Sequence, residues 1–533
     1  MWDWDEVQFC AALREYDVPL HHPHPPGFPL FVLAAKFVRL FVRDDFHALQ
    51  SVTFIAACAL FPLLFFVARA LRFDFATSYA GALLFVFLPD VWFYGGTAFS
   101  DITGIAAILT AVGLLLWRDE TFLAGAAMLG VAAAIRPQAM LFGVAPFLLA
   151  AWRARQRPGR VVIAGVLAAT IVVASYAGAA AASSSFTGYR DSVRGVKTWV
   201  RSVDAFTNPA RPQLLSLAAD FFVHPMGGGR IAWVLVALAC IALVDRRSWL
   251  VVAIFAPFAG FAWLMLDHYS IHRYATAYVA LHALLAARGA QVVLRRRALQ
   301  VAAIALIALR YAWWTAPALA TARTTPSPTY AGMQWLRAQR VPIYVHGSLG
   351  PFANYFLYDR PVLVLRDLTT LPPAAPPHAL AATEGLVVGA RATFVRPFGR
   401  LYELARQRYF TVSVLPLSNV WQFGDGWYDA EEDPPQMWRW MSARSVTTLP
   451  ALRAARGRLT LALAAPKHEQ ADVEVRFNGV LLERFHCTDI AVPRSWSVPS
   501  RASNTLVLAA SPARRMGNDR RVLSVQLVGL GWE

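Results

Sequence analysis

The sequence predicts a polytopic α-helical membrane protein that ends in a soluble region of mixed and then all-strand structure. Three observations predict it. Of 533 residues, 57% are hydrophobic and only 16% charged, against about 25% charged in an average soluble domain, and the mean hydropathy is +0.43. Apolar runs fill the chain from about Phe46 to Pro317 and then stop. Arginines gather in the short loops between alternate runs, where the cytoplasmic face of a membrane retains them. The formal charge of +17 therefore reflects topology, and no nucleic-acid partner is expected. Cys10, Cys58, Cys240 and Cys487 are too far apart to signal a disulfide framework or a zinc site.

About ten spans are expected. They lie near Phe46 to Ala68, Ala76 to Tyr94, Asp101 to Trp117, Phe122 to Ile135, Pro137 to Trp152, Val161 to Ala182, Ile231 to Val244, Trp249 to Asp267, Tyr274 to Ala287 and Leu299 to Trp314. Several are shorter than the roughly 20 residues of a full crossing, and pairs such as Phe122 to Ile135 and Pro137 to Trp152 could form one broken feature. Arg69 and Arg72, Arg118, Arg153 to Arg160, Arg246 and Arg247, and Arg288 to Arg297 mark the cytoplasmic loops. The N-terminal segment, Gly95 to Ser100, Ser183 to Gly229 and everything after Ala318 then face outward. Nothing ahead of the N-terminal segment could carry it across, neither a signal peptide nor an apolar helix, so a first span missing from the chain is expected over unaided translocation. The expected location is the plasma (inner) membrane, with the C-terminal region on the external or periplasmic face.

Four segments follow. Residues 1–45 are an external acidic loop with a juxtamembrane helix, since Pro29 to Val42 sets Lys36 and Arg39 among apolar residues. Residues 46–318 are the transmembrane domain. Residues 319–425 read as a soluble α/β unit, with strands at Pro342 to Gly347, Val362 to Arg366 and Gly385 to Val388 and helices at Tyr330 to Gln339 and Arg400 to Arg408. Residues 426–533 read as a β-sandwich, signalled by alternating strands around the Asn478-Gly479 turn. Trp427, Tyr428, Trp438 and Trp440 could form its core or a platform for sugar rings.

The front of the chain is the most distinctive part: Trp2-Asp3-Trp4-Asp5-Glu6, then His24-Pro25-Pro26-Gly27-Phe28-Pro29-Leu30. The acids alone could be a solvated tip and the prolines a helix entry. Together with Tyr94-Gly-Gly-Thr-Ala-Phe-Ser-Asp101 and Ile135-Arg136-Pro137-Gln138, however, these motifs resemble the GT-C superfamily of membrane glycosyltransferases. The likeness, which covers roughly residues 1–318, is to bacterial relatives of protein O-mannosyltransferases and lipid A aminoarabinose transferases.

The resemblance implies a sugar donor linked to a polyprenyl phosphate and a glycan, lipid or protein acceptor. It implies Asp5 as the catalytic base, with Asp3 or Glu6 next, and Asp101 supporting the acceptor or a divalent metal, the one cofactor left open. His24, Pro25 and Pro26 form the acceptor-side turn. The chemistry is coherent: a carboxylate takes the acceptor proton, and cations stabilise the charge growing on the departing phosphate. One base and one cationic clamp imply inversion, unlike the paired carboxylates of retaining hydrolases. Candidate cations are Arg136, His268, His272 and Arg273, with Tyr274 beside them. Arg136 either lines a cavity or snorkels to the interface. Asp90, beside Pro89, reads as a structural or cavity residue. The spacing of His21, His22 and His24 does not match a metal ligand set. An O-antigen-type polymerase or ligase and a lipid or sugar transporter are the other classes open to such a chain.

Overall fold

The computed structural model describes residues 3–208, 211–268, 270–365, 380–384, 391–395, 411–416, 421–433, 436–452, 454–516, 519 and 521–532. The chain divides into two units, a helical one up to Thr325 and one rich in strands from Pro326 onward.

The helical unit opens with α1 (Trp4–Arg14) and α2 (Pro29–Arg39). The segment expected as an acidic loop is thus largely a helix. Asp3 caps it by accepting from Asp5 N–H at 3.1 Å, and acids in a first turn suit the positive end of the helix dipole. Every residue from Glu6 to Leu13 is buried, so α1 is enclosed on all sides over those two turns.

A series of apolar helices of varied length follows: α3 (Asp45–Ala70), α4 (Phe75–Phe87), α5 (Pro89–Tyr94), α6 (Asp101–Trp117), α7 (Phe122–Ile135), α8 (Met140–Arg153) and α9 (Pro158–Ala182). After α10 (Phe186–Trp199) and α11 (Leu214–Phe222) come α12 (Gly229–Ile241), α13 (Arg246–Met265), α14 (Ile271–Leu294) and α15 (Arg297–Thr324). Five of them, α3, α9, α13, α14 and α15, are long and apolar enough to cross a membrane, and the bent pair around Gly227 and Gly228 would make a sixth. These helices make the chain a membrane protein.

Two breaks in the apolar runs have a plain cause in proline, the first a departure from the expected spans and the second in agreement with them. Ala76 to Tyr94 is two helices, because Leu88 adopts an extended ψ of 131° ahead of Pro89, as a residue before proline prefers. The run from Phe122 breaks at Arg136, which is likewise extended ahead of Pro137. At the other extreme, α15 carries Pro317 inside it and continues beyond the expected end at 318. The expected outward loop at Ser183 to Gly229 contains α10 and α11.

The second unit starts with α16 (Pro328–Arg337) and α17 (Gly350–Phe356). A five-stranded sheet has the order β2-β1-β3-β5-β4, formed by β1 (Ile343–His346), β2 (Val362–Leu365), β3 (Leu380–Glu384), β4 (Ala392–Val395) and β5 (Thr411–Pro416). The strand expected at Gly385 to Val388 and the helix at Arg400 to Arg408 lie outside the described residues. Ten further strands run from β6 (Gln422–Phe423) through β7 (Trp427–Asp433), β8 (Gln436–Met441), β9 (Arg444–Pro450), β10 (Arg456–Ala464), β11 (Ala471–Phe477), β12 (Val480–Cys487), β13 (Val492–Pro499) and β14 (Ser503–Ser511) to β15 (Gln526–Trp532). They form two five-stranded sheets, β13-β10-β15-β8-β7 and β12-β11-β14-β9-β6. Inward residues of both, among them Leu461, Val475, Leu508 and Trp532, share one apolar cluster. Trp427 packs against that cluster and donates to Thr447 Oγ1 at 3.0 Å, a core position and not an open platform.

Candidate active site

The site is assembled from four separate stretches of the helical unit. On α1, Phe9 meets Phe28 and Phe31 edge-on at centroid distances of 5.3 and 5.0 Å and His24 at 5.2 Å. This aromatic cluster draws the 21–28 turn onto α1. Tyr16 fastens the same turn by donating to Gly27 O at 2.9 Å. Gly27 has φ of +109°, and a Cβ there would lie 2.4 Å from the Tyr16 hydroxyl, so a side chain would both strain the backbone and break the contact. The result brings His24 Nδ1 to 3.5 Å from Asp5 Oδ1.

The 95–100 loop supplies the second stretch. Glu6, fully buried, accepts from Ala98 N–H at 3.1 Å, and Thr53 of α3 donates to Phe99 O at 3.0 Å. The loop is bolted from two sides, which fixes Asp101 at the start of α6. Arg136, in the break between α7 and α8, donates to Ser100 Oγ at 3.1 Å and pairs with Asp101 Oδ1 at 2.9 Å. Gly104 clears its path: a Cβ there would stand 3.2 Å from Arg136 Cβ and 3.4 Å from Cδ.

Arg273, at the start of α14, completes the arrangement. Its guanidinium pairs with Asp5 Oδ2 and, through Nε, approaches Asp101 Oδ2 at 3.3 Å. It lies 4.3 Å over the Phe99 ring and 5.2 Å from that of Tyr274, a cation–π setting that holds a cation without spending all its donors. A continuous row of charge, Asp5, Arg273, Asp101, Arg136, thus joins residues from α1, α14, α6 and the α7–α8 break. Asp101 and Arg273 expose 3% and 8% of their side chains, whereas Asp5 exposes 22%. The carboxylate open to an incoming molecule is Asp5.

Electrostatics separates the acids. Burial, reinforced by the neighbouring Asp5 charge, pushes the Asp3 carboxyl up to about 6. Burial would also raise Asp5, but His24 and Arg273 more than offset it and hold Asp5 well below the usual range. Because burial pushes His24 itself down to about 4, Arg273 is the cation that matters at neutral pH. Arg273 Nε faces Asp101 Oδ2 and His24 Nδ1 faces Asp5 Oδ1 as ion-pair contacts, yet none of Asp101 Oδ2, Arg273 Nε and His24 Nδ1 makes a well-formed hydrogen bond.

The remaining sequence candidates fall outside this row. Glu6 shapes the loop. His272 Nδ1 lies 2.8 Å from Asp90 Oδ2 with both side chains buried, a pair 182 residues apart in the chain that no local signal announces. For His268, burial lowers the pKa, and the charges acting on it are those of Asp267, Arg211 and Asp220. Pro25 and Pro26 lie in the turn that carries His24, where Pro26 O accepts from Tyr189 Oη at 3.1 Å. Phe99 and Ser100 were unassigned in the sequence although they stand inside the Tyr94 to Asp101 motif. Among the described residues, no three His, Cys, Asp or Glu side chains gather as a metal ligand set.

Fold and site together define a membrane protein with a buried, mixed-charge centre at one end of its apolar helices. No family model and no curated protein matches the chain. Among solved structures it is similar to ArnT from Cupriavidus metallidurans bound to undecaprenyl phosphate, at 11% identity and a TM-score of 0.47, over 78% of this chain and 94% of that one. It is also similar to arabinosyltransferase EmbB from Mycobacterium smegmatis, at 13% identity and 0.33, over 99% and 62% of the two chains. A third match is arabinofuranosyltransferase AftD from mycobacteria, at 10% and 0.37, over 99% and 60%. Two of these three are named as an arabinosyltransferase and an arabinofuranosyltransferase. With identities this low, function must be read from the site's own residues.

Proposed function

We propose that the chain is a membrane glycosyltransferase that moves a sugar from a polyprenyl-phosphate-linked donor to an acceptor hydroxyl at the external membrane face, with inversion. The observation that carries this reading is the row Asp5, Arg273, Asp101, Arg136. It joins one accessible carboxylate to two buried guanidiniums at the ends of apolar helices. A lipid-linked sugar phosphate keeps its tail in the bilayer and its anomeric carbon at headgroup level, so a catalyst for it belongs at helix ends.

In the resting protein Asp5 is a weak base, because Arg273 holds its charge. An arriving phosphate competes for the same guanidinium, whose planar fork suits phosphate oxygens. As Arg273 turns its donors to the phosphate, Asp5 regains basicity where the acceptor must bind. The acceptor oxygen attacks the anomeric carbon, its proton passes to Asp5, and the carbon–oxygen bond to phosphate breaks with its electron pair going to the polyprenyl phosphate. Arg273 and Arg136 stabilise the charge that grows there. Asp101 sits between the two arginines and keeps both aimed. In this reading residues 46–318 form the catalytic membrane domain, and residues 319–425 and 426–533 form external α/β and β-sandwich domains.

The test uses the purified full chain in lipid, a radiolabelled polyprenyl-phosphate monosaccharide and extracted cell-surface acceptors. Label should move to the acceptor, with release of free polyprenyl phosphate and inversion at the anomeric carbon by NMR. Movement of intact donor across the bilayer without cleavage would replace the reading with a transporter. Transfer only from a lipid diphosphate oligosaccharide would replace it with a polymerase or ligase.

A further inference from the structure

The helix α10 has no buried residue, yet its sequence is strictly patterned. Arg190, Arg194, Lys197 and Arg201 recur at intervals of four, three and four residues, and all four are exposed. Such spacing places side chains on one line of a helix, here a basic rail about 16 Å long at 1.5 Å per residue, its last member in the π-helical turn Val200–Asp204. Tyr189, Val193, Val196 and Val200 repeat the same intervals one residue earlier and are half-buried, giving an apolar stripe beside the basic one. Phe186 and Trp199, 70% and 56% exposed, add large rings at its two ends.

Place matters as much as pattern. The helix α10 follows the end of α9 at Ala182, the opposite end of that 25-residue apolar helix from Arg153 to Arg160. Cations are normally depleted on that side, so four of them in a row call for a counter-charge. The protein supplies little. Asp191 lies 3.3 Å from Arg190 and 3.8 Å from Arg194, all well exposed, which makes these pairs weak. Lys197 and Arg201 have no ion pair among the described residues. The helix is also tied to the active end of the unit: Tyr189 donates to Pro26 O at 3.1 Å, and a Cβ on Gly188 would lie 3.2 Å from the Pro19 ring.

We infer that α10 is an interfacial docking helix whose basic rail binds the phosphate headgroups of anionic lipids in the leaflet at the catalytic end, with its exposed end rings, Phe186 and Trp199, seated at the acyl boundary and its half-buried stripe turned towards the protein. A phosphate-bearing surface matches the rail in sign and extent, and a helix with a basic rail and exposed aromatic rings lies in an interface plane. The docking is independent of the transfer reaction.

The test measures hydrogen–deuterium exchange of residues 186–203 in the full chain, reconstituted in nanodiscs of phosphatidylcholine alone or with roughly 30 mol% phosphatidylglycerol. Exchange in wild type should slow about tenfold in the anionic discs, while α14 stays unchanged. The variant R190Q/R194Q/K197Q/R201Q should lose the composition effect, and R190K/R194K/R201K, which keeps the charge, should retain it. Equal protection of wild type in both discs, a composition effect that survives in the Gln variant, or its loss in the Lys variant would each overturn the inference. So would equal protection in neutral discs on adding soluble inorganic phosphate, which would assign the rail to a free anion. If the Gln variant does not reconstitute, wild type and the Lys variant still decide.

Discussion

At one end of the helical unit, Asp74, Thr77, Gln291 and Gln300 close a polar knot between α4, α14 and α15. Asp74 accepts from Gln291 Nε2 at 2.7 Å and from Thr77 N–H at 3.2 Å, and Gln300 Nε2 reaches Thr77 Oγ1 at 3.1 Å and Ala287 O at 2.9 Å. Arg288 adds a pair with Asp245 at 2.9 Å. At the other end, α14 begins with Arg273, whose Nε, together with Asp101 Oδ2 and His24 Nδ1, has no hydrogen-bond partner. The knot saturates nearly all its groups, Gln300 Oε1 excepted, and amides and hydroxyls dominate it. The active end is held by full charges in ion pairs whose hydrogen bonding is incomplete. The contrast separates neutral polar groups that lock helices together from charged groups whose hydrogen bonding is incomplete, and an unmet buried group costs free energy unless something later meets it.

The sharpest way to break this contrast is Asp5→Asn. It should lower kcat by about 10²- to 10⁴-fold, the usual contribution of a general base, in a protein that still folds and whose donor affinity does not fall, because the phosphate no longer competes with Asp5 for Arg273. Near-normal turnover in the purified variant would remove Asp5 from the reaction.

Arg273→Ala should reduce kcat by about 10²- to 10³-fold, the range for losing a donor aimed at developing charge, and Arg273→Lys should fall between it and wild type. Parallel losses in donor affinity and turnover mean that the contact exists in the ground state; a loss confined to kcat means that it tightens as charge develops. Wild-type kinetics in Arg273→Ala would move the clamp to Arg136 or His268.

A smaller effect should appear in stability against pH. Asp3 is raised to about 6 in the fold, above its unfolded value, so the folded state is penalised when the carboxyl is ionised. The sign follows: stability should rise as pH falls through about 6 towards the unfolded value near 4. Asp3→Asn keeps a good helix cap and should flatten that slope between pH 7 and 4.5. An unchanged slope in thermal midpoints would show that Asp3 is not its source.

The smallest expected effect lies in the knot. Thr77→Val should cost about 0.6 kcal/mol in unfolding experiments, typical of a hydrogen bond between membrane helices, and leave kcat unaltered. A drop in turnover there would mean that the two ends are not separable.

The sequence made parts of this legible through local chemistry. Lys36 and Arg39 among apolar residues announced α2, and the Asn478-Gly479 turn announced the β11–β12 hairpin. Arg136 before Pro137 stood out as a charge in an apolar run. Hydropathy could not reveal that the acids of α1 sit on a buried helix, because Asp3, Asp5 and Glu6 mask the apolar residues Val7, Phe9 and Cys10 behind them. The partners of those acids were beyond sequence reading for another reason. Glu6 meets Ala98 across 92 residues and Asp5 meets Arg273 across 268, and no periodicity encodes contacts that only tertiary packing makes. The amphipathic pattern of α10 was present but hidden in a stretch treated as a loop.

The pairing of Asp5 with Arg273 also bears on biosynthesis. A ribosome adding about 5 to 20 residues per second needs some tens of seconds to pass from the first of these residues to the second. Throughout that interval the nascent chain holds Asp5 without the cation that pairs with it, and by its end three of the five helices long enough to cross a membrane, α3, α9 and α13, have been made. The charge row therefore closes late and all at once, with the arrival of α14, and a chain stalled before that helix carries the acidic motif without its Arg273 partner.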